Sequence, residues 1–240
     1  MAKYDWYEGK IVDIIDETPT IKRFFIEVPE VKNYKFTAGQ FAILEAEINS
    51  QVVRREYSIA SAPTDGNIFE LLIVIAEHGL FTTWLFNEIK VGSTIKTSSA
   101  LGKFLLPPKL DKEMCFICTG VGLAPFRAMI VDIYRNNVPH KDIHLVFGTR
   151  YKDDLCYPEE LYSLEKKEST FHFYPTLSRE KSEEWKGHKG YVHDIYKGLY
   201  EDKRPGYFYI CGWKNMIFEA RDNLTALGYD RKSIRFELFD

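Results

Sequence analysis

The sequence lacks the features that mark membrane, secreted and nucleic-acid-binding proteins. No apolar run reaches the roughly 18 residues that a membrane-spanning helix needs, so we expect no membrane span. The net charge of −3 offers no basic surface for nucleic acid. The first ten residues, MAKYDWYEGK, lack the apolar segment of a signal peptide. With 45% apolar and 28% charged residues, the composition favours a soluble globular protein.

Cysteine is also scarce, with 4 residues in 240, which favours a reducing cytoplasm. Cys115 and Cys118 form a CxxC pair, but no second CxxC or matching histidine pair completes a zinc site. The four-cysteine spacing of a plant-type iron–sulfur domain is absent as well. Because the pair lies in an apolar run, we interpret both as core cysteines of a buried strand, with metal binding as the alternative.

The first half of the chain is rich in Ile, Val, Phe and Tyr, in short runs separated by turn signals. One helix interrupts them at about Phe81 to Ile89, with Thr82 or a neighbour as its cap. This pattern predicts an antiparallel barrel or sandwich over residues 1–108. The predicted strands are GKIVDIID, TIKRFFIEV, QFAILEAEI, REYSIAS and IFELLIVIA.

The proline-containing segment LLPPKLDKE, at 105–113, indicates a domain boundary. Predicted strands and helices alternate after it, which is typical of a doubly wound parallel sheet, here over residues 109–240. Ligands bind such sheets at the carboxyl ends of the strands. The strands are MCFICTG, IHLVFGT, TFHFYPTL, GYFYICG and SIRFELF, and the helices are LAPFRAMIVDIYRNN, PEELYSLEKKE, HDIYKGLY and KNMIFEARDNLTALG.

The first strand of this second half ends in TGVGLAPF. Gly120 and Gly122 permit a tight turn and a close approach of the backbone to a ligand. Pro125 suits the first turn of the helix that follows. The backbone N–H groups at that helix start favour an anion such as a pyrophosphate. The pattern is GxGxxP, so a strand–helix turn of any α/β domain remains the alternative.

Further polar residues follow other strands of the predicted sheet. Arg150, Ser178 and Arg179 come at carboxyl strand ends, where arginines suit a nucleotide phosphate. Arg179 in particular suits a 2′-phosphate, and a solvated loop charge is the alternative. Gly212 would let a ligand approach the next strand end, where Cys211 places a sulfur atom. A buried structural cysteine is the alternative for Cys211.

The segment RREYSIAS places a cation and a ring on one strand. Alternation puts Arg55, Tyr57 and Ile59 on one face and Glu56 and Ser58 on the other. A cation beside a ring can bind a phosphate and a flat cofactor.

A second anion-friendly feature follows in the same half. Gly79 and Thr82, at the start of the predicted helix, form another candidate anion site. Two such places in one barrel are unexpected unless the barrel binds a ligand.

These motifs resemble those of the ferredoxin–NADP reductase superfamily over nearly the whole chain. The chain departs from the pattern at Ser99–Ala100, where Gly-Pro is usual, and at Trp213, where proline is common. The matching stretches, in chain order, are RxYS at Arg55–Ser58, GxxS/TxxL at Gly79–Leu85, the xGxF portion of VGSTIKTSSALGKFLLP, GTGxAPF in TGVGLAPF, YGxRxxxDxxYxxEL in FGTRYKDDLCYPEEL, CGxxxM at Cys211–Met216, and the C-terminal ExF in RFELFD.

The resemblance implies a Greek-key barrel that holds a flavin, FAD in preference to FMN. By this resemblance Arg55 binds the pyrophosphate with the helix start at Thr82. Tyr57 stacks on the flavin ring, and Ser58 lies near the atom that accepts hydride.

The resemblance also implies that NAD(P)H binds the second domain over the turn Thr119–Gly122, with Gly212 and Met216 as part of the same motif set. Cys211 and Glu237 would flank the nicotinamide and the flavin. Phe239, next to Asp240, would lie near the flavin or pack in the sheet.

The expected activity is hydride transfer from NAD(P)H to FAD, followed by electron transfer to a separate one-electron carrier such as a ferredoxin or flavodoxin. The segment SRE at 178–180 favours NADPH, although WKGHKGYV resembles NADH-using members too. One alternative is an NADH-dependent reductase component of an oxygenase or multisubunit complex. Others are a flavin-bearing electron-transfer subunit that does not use free NAD(P)H, and a nucleotide-binding subunit without catalysis.

Overall fold

The computed structural model describes residues 4–238. The chain divides into two compact units. The first holds the residues up to Leu106 together with Ala124–Asn136, and the second holds Pro107–Leu123 and the residues from Asn137 onward. The boundary expected between residues 108 and 109 stays a prediction.

The first unit is built on a six-stranded antiparallel sheet in the order β4-β3-β6-β1-β2-β5. An antiparallel bridge between Ile59 and Leu71 joins the end of β4 to β5, so the sheet closes on itself as the predicted barrel. The short polar strand β6 was not among the predicted strands. The strands are β1 (Trp6–Thr18), β2 (Ile21–Glu27), β3 (Phe41–Ile48), β4 (Gln51–Ser58), β5 (Ile68–Val74) and β6 (Thr94–Ser98).

The barrel core comes from alternate positions of these strands. Phe24 and Ile26 of β2 and Phe69 of β5 are buried to 1% exposure or less, because their side chains point to the barrel interior. Helix α1 (Leu80–Glu88) starts one residue earlier than predicted, with Gly79 as its N-cap. Its Phe81 joins the same core cluster.

The second unit is built on a parallel six-stranded sheet in the order β10-β9-β8-β7-β11-β12. From β7 the chain adds strands to one side through β10 and then crosses to the other side with β11. The doubly wound prediction is therefore confirmed, and its switch point lies between β7 and β11. The strands are β7 (Glu113–Thr119), β8 (Ile143–Thr149), β9 (Phe171–Leu177), β10 (His188–Lys189), β11 (Gly206–Gly212) and β12 (Ile234–Leu238).

The remaining helices are α2 (Leu123–Arg135), α3 (Pro158–Lys167), α4 (Val192–Leu199) and α5 (Lys214–Ala226). Helix α2 groups with the first unit, where Arg127 donates to the carbonyl of Ala60 and to the carboxylate of Glu70, both at 2.9 Å. No helix among residues 4–238 has the length and apolar character to span a bilayer.

The four cysteines are all buried, and none of them forms a disulfide in the described part of the chain. Cys115 and Cys118 are three positions apart on β7, so their side chains point to opposite faces of the sheet. They are core residues, as predicted, and cannot ligate one ion together.

Candidate cofactor and nucleotide sites

Strand β4 separates its two arginines onto opposite faces. Arg54 bonds Glu45 at 2.5 Å, and its guanidinium lies 5.2 Å from the ring centre of Trp6. Arg55 is exposed, and its Nη1 donates to the carbonyl of Arg54 at 2.7 Å. Among the described residues no carboxylate pairs with Arg55. It is therefore a cation available to an anion on the face it shares with Tyr57.

Tyr57 packs its ring against the barrel core, with its centroid 6.1 Å from that of Phe81. Burial raises the pKa of Tyr57, and the charge of Arg55 offsets part of this rise. The hydroxyl is buried and has no hydrogen-bond partner among residues 4–238. A buried hydroxyl without a partner costs about 1–3 kcal/mol, so this atom suits a bound molecule with a polar group. Ser58, next along the strand, is buried at 5% exposure.

The start of helix α1 is held by Thr82. Its Oγ1 accepts from the N–H of Ala76 at 3.1 Å and donates to the carbonyl of Gly79 at 3.3 Å. A Cβ on Gly79 would lie 2.6 Å from that oxygen, so glycine is required there. The hydroxyl of Thr82 thus shapes the loop, and the backbone N–H groups of the first helical turn are left to hold an anion.

The turn after β7 uses its two glycines for different reasons. Gly120 has a φ of +54°, and a Cβ built on it would meet nothing within 4 Å, so the backbone there faces open space. A Cβ on Gly122 would lie 2.6 Å from the carbonyl carbon of Cys211. The backbone at Gly120 is open to the close approach of a ligand, whereas Gly122 lets the turn pack on β11. Pro125, third in α2, needs no N–H partner at that position.

Gly212 at the end of β11 also serves packing. Its φ is +133°, and a Cβ would lie 2.8 Å from the carbonyl oxygen of Thr119. The Oγ1 of Thr119 in turn accepts from the N–H of Trp213 at 3.0 Å. Thr119 fills the space that a side chain on Gly212 would occupy, and the approach of a ligand to Gly212 stays a prediction. The two contacts hold the ends of β7 and β11 together at the switch point.

Cys211 is completely buried, with Cys118 and Glu237 opposite it on the neighbouring strands. Burial raises the pKa of Cys211 well above its usual range, so the group is a neutral thiol. Its predicted place beside a nicotinamide, like that of half-buried Glu237, stays a prediction.

Met216 is also predicted to belong to the nucleotide motif, and Phe239, next to the C-terminal Asp240, to lie near the flavin or pack in the sheet. Met216 is 8% exposed and packs in the core with Ile217 and Ala220. The structure shows Met216 as a packing residue, and its place in the nucleotide motif stays a prediction. Phe239 and Asp240 lie outside the described residues.

The loops after β8 and β9 are joined by a backbone hydrogen bond between two arginines. The N–H of Arg179 donates to the carbonyl of Arg150 at 3.0 Å, and the Ser178 hydroxyl donates to the carbonyl of Thr149 at 3.1 Å. Both arginine side chains are exposed, and neither has a carboxylate partner in the described part of the chain. This pair of cations, at the carboxyl edge of the sheet, suits a phosphate.

The sequence argument missed the role of Glu180. Its carboxylate accepts from the N–H of Ser182 at 2.8 Å and from the N–H of Lys152 at 3.2 Å, and these bonds lower its pKa. These bonds fix the carboxylate in the loop that also carries Arg179. The acidic residue directly after an arginine was the available signal, but its backbone partners could not be read from the sequence.

Comparisons with known proteins match a family model to each half of the chain. The family model described as "Oxidoreductase FAD-binding domain" matches residues 8–105, and the model described as "Oxidoreductase NAD-binding domain" matches residues 116–222. The chain is 29% identical to "Ferredoxin--NADP reductase B" of Sorangium cellulosum, with 100% of each chain covered. It is 28% identical to "Phenol hydroxylase P5 protein" of Acinetobacter pittii, covering 97% of this chain but 65% of that relative.

Solved structures of two reductases are similar in fold to this chain. A ferredoxin NADP+ reductase from Neisseria gonorrhoeae, with bound FAD and NADP, superposes with a TM-score of 0.83 at 25% identity, covering 98% of this chain and 99% of that one. The cytochrome P450 reductase GcoB from Amycolatopsis shares the fold, with a TM-score of 0.88 at 22% identity and coverage of 100% and 71%.

The residues present fit a flavin and a nicotinamide dinucleotide. The unpartnered Tyr57 hydroxyl and the available Arg55 cation suit the ribityl and phosphate groups of a flavin. The open space above Gly120 suits a dinucleotide phosphate.

Proposed function

We propose that this chain, a member of the ferredoxin reductase-like superfamily, transfers electrons from NAD(P)H to a separate one-electron carrier protein. The electrons pass through FAD. The chain is an NAD(P)H-dependent flavin oxidoreductase. The observation that carries the proposal is the open turn at Gly120, which stands at the switch point of the parallel sheet.

The first unit supplies the flavin contacts. FAD, when bound, accepts a hydride as an electron pair and can release the electrons singly. Arg55 and the first-turn N–H groups of α1 hold its pyrophosphate. The ring of Tyr57 stacks on the flavin ring, and the buried hydroxyl of Tyr57 bonds the ribityl chain of the flavin. Ser58 lies at the end of the same strand, and in this proposal it contacts the reacting part of the ring.

The second unit supplies the nucleotide contacts. The backbone at Gly120 and the start of α2 hold the dinucleotide phosphates, while Thr119 keeps the turn rigid against β11. Cys211 and Glu237, on adjacent strands, flank the nicotinamide. In this proposal the protein contributes alignment and exclusion of water, and no side chain acts as a general base for the hydride step.

We assign Arg150 and Arg179 to the 2′-phosphate of NADPH, because both are exposed cations without a carboxylate partner among the described residues. The fixed carboxylate of Glu180 opposes this preference, so NADH remains a substrate. Arg179→Ala tests the assignment. We expect the KM for NADPH to rise about tenfold more than the KM for NADH, as loss of one charge-assisted bond predicts. Equal changes in both values would refute 2′-phosphate recognition by Arg179.

The acceptor is a ferredoxin or flavodoxin in the leading form of the proposal. Full-length similarity to a protein named as a ferredoxin–NADP reductase supports this form. A second candidate is the NADH-dependent reductase component of an oxygenase, supported by similarity to components such as "Phenol hydroxylase P5 protein". The chain spans about two thirds of such relatives, at 65% of that one. A cytoplasmic location is part of the proposal.

The deciding experiment is anaerobic mixing of the FAD-containing protein with NADPH and, separately, with NADH, while the visible flavin band is followed. Rapid bleaching is expected, and the nucleotide with the higher kcat/KM is the preferred donor. Reduced protein is then mixed with a ferredoxin, a flavodoxin or an oxygenase component to identify the acceptor. If FAD binds but neither nucleotide bleaches it, the chain is a flavin-bearing subunit reduced by another protein.

A further inference from the structure

A second cluster of chemically active side chains lies at the opposite edge of the parallel sheet, where the strands begin. Glu113 starts β7, and Asp142 and His144 stand at the start of β8. Parallel pairing sets His144 beside Cys115 and brings the two strand starts together. The ligand atoms of the three residues all lie within 4.8 Å of one another. This edge is remote from the glycine turn, which follows the other end of β7.

His144 is held in one orientation. Its Nε2 lies 3.2 Å from Oε2 of Glu113, and its ring is 4% exposed. The ring stacks on that of His172, with centroids 4.9 Å apart and planes 18° from parallel. His172 in turn has its Nε2 3.8 Å from Oδ2 of Asp142. The His144 imidazole is therefore held between side chains of β7 and β9.

The charges of the cluster do not balance. Arg204 bonds Glu113 through its Nε at 2.7 Å and is paired with Asp202 as well. Glu113 and Asp142 contribute two carboxylates, whereas Arg204 is shared with Asp202, so the cluster attracts a cation.

A buried hydroxyl beside the cluster is also unsatisfied. Tyr200 is fully buried, and its hydroxyl has no hydrogen-bond partner among the described residues. Burial raises the pKa of Tyr200, and Glu113 is close enough to raise it further. The hydroxyl can therefore donate to an oxygen that enters the cluster, such as a water carried by an ion.

We propose that Glu113, Asp142 and His144 bind a divalent transition-metal ion of the zinc class, with water completing the coordination. One imidazole nitrogen and two carboxylate oxygens are donors that such ions accept, at about 2.0–2.2 Å. Two atoms on one ion then lie at most about 4 Å apart, so the set must contract slightly. Asp142, whose side chain is 47% exposed, is free to rotate inward. His172 then supports the Asp142 carboxylate from behind.

The ion would join the starts of β7 and β8, so its expected effect is on stability and not on hydride transfer. The test uses the FAD-containing full chain without an affinity tag, stripped with EDTA and exchanged into metal-free buffer. Zinc chloride is titrated by calorimetry, and thermal unfolding is followed with and without zinc. We expect one ion per chain and a higher unfolding midpoint with zinc.

Asp142→Asn should weaken zinc binding at least about tenfold, as the loss of one ligand predicts, and remove the rise in midpoint. Asp65→Asn, the same change at an exposed loop residue of the first unit, is the matched control and should bind zinc as the unaltered chain does. His144→Gln should abolish binding, and Asp142→Asn keeps the test decisive if that buried substitution prevents folding. No saturable binding, or equal binding by the unaltered chain and Asp142→Asn, would overturn the proposal.

Discussion

Replacing Gly122 with alanine tests whether the turn after β7 must pack directly on β11. The added Cβ would lie 2.6 Å from the carbonyl carbon of Cys211 and 2.7 Å from the nitrogen of Gly212. Ordinary contacts of this kind begin at 3.4 Å. The turn and the strand end must therefore separate by about 0.8 Å, and no rotamer change can relieve the overlap because both neighbours are backbone atoms.

The structural cost follows from the overlap. Overpacking of this kind typically costs about 1–3 kcal/mol in the free energy of unfolding. A displacement approaching 1 Å at a substrate-positioning element can lower the rate by about 10²-fold. We therefore expect kcat/KM for NADPH and for NADH to fall by about 10²-fold in Gly122→Ala. FAD content should stay the same, because the proposed flavin contacts belong to the first unit.

The assay is anaerobic stopped-flow reduction of the purified FAD-containing variant, with FAD content measured from the same sample. Gly198→Ala is the matched control. Gly198 lies in α4, where an added Cβ would meet nothing within 4 Å. That variant should keep its kcat/KM and gain about 0.5–1 kcal/mol in stability, since alanine is the better helix former.

Unchanged kcat/KM in Gly122→Ala would refute the reasoning, since the nucleotide would then not depend on the position of this turn. A loss of FAD from the variant would contradict it in another way, because the damage would not be confined to the nucleotide half-site.

Three further predictions concern single side chains. Tyr57→Phe removes a buried hydroxyl without a partner, so the free energy of unfolding of the flavin-free protein should fall by no more than about 1 kcal/mol. The dissociation constant for FAD, measured by fluorescence, should rise about tenfold. Equal FAD affinity would contradict a bond to this hydroxyl. Arg127→Met leaves Glu70, which is 3% exposed, with one charged partner fewer. The free energy of unfolding, measured in urea, should fall by about 3 kcal/mol, and a fall below about 1 kcal/mol would show that the ion pair is dispensable. Burial lowers the pKa of His193 below 6.5, and Glu219 offsets this only in part, so stability should be full above about pH 6.5 and fall as the pH drops below it. His193→Gln should flatten this acid-side decline in pH-dependent thermal unfolding, and an unchanged decline would assign it to other groups.

Much of the architecture could be predicted because it depends on local patterns. Runs of Ile, Val and Phe with turn residues between them specify strands wherever they fall in the chain. Strand–helix alternation after LLPPKLDKE implied a parallel sheet, since parallel neighbours need a crossover helix. The strands missed were β6 and β10, which are short and polar and become strands by pairing with neighbours.

The sequence alone also determined which residue types stand at the candidate site, because the motifs around Tyr57 and Gly120 are local. It did not determine what each of them does. Gly120 and Gly122 look alike in the sequence, yet one faces open space and the other packs on β11, a difference set by the distance to a strand about 90 residues further along the chain.

Contacts between distant residues were decided by the tertiary structure only. Arg54 and Arg55 are neighbours in sequence, but strand pairing gives one of them Glu45 and leaves the other without a carboxylate among the described residues. Glu113 and His144 meet because β7 and β8 pair in parallel in one register. Sheet order and register arise from burial summed over the whole unit, so no short stretch of sequence contains them.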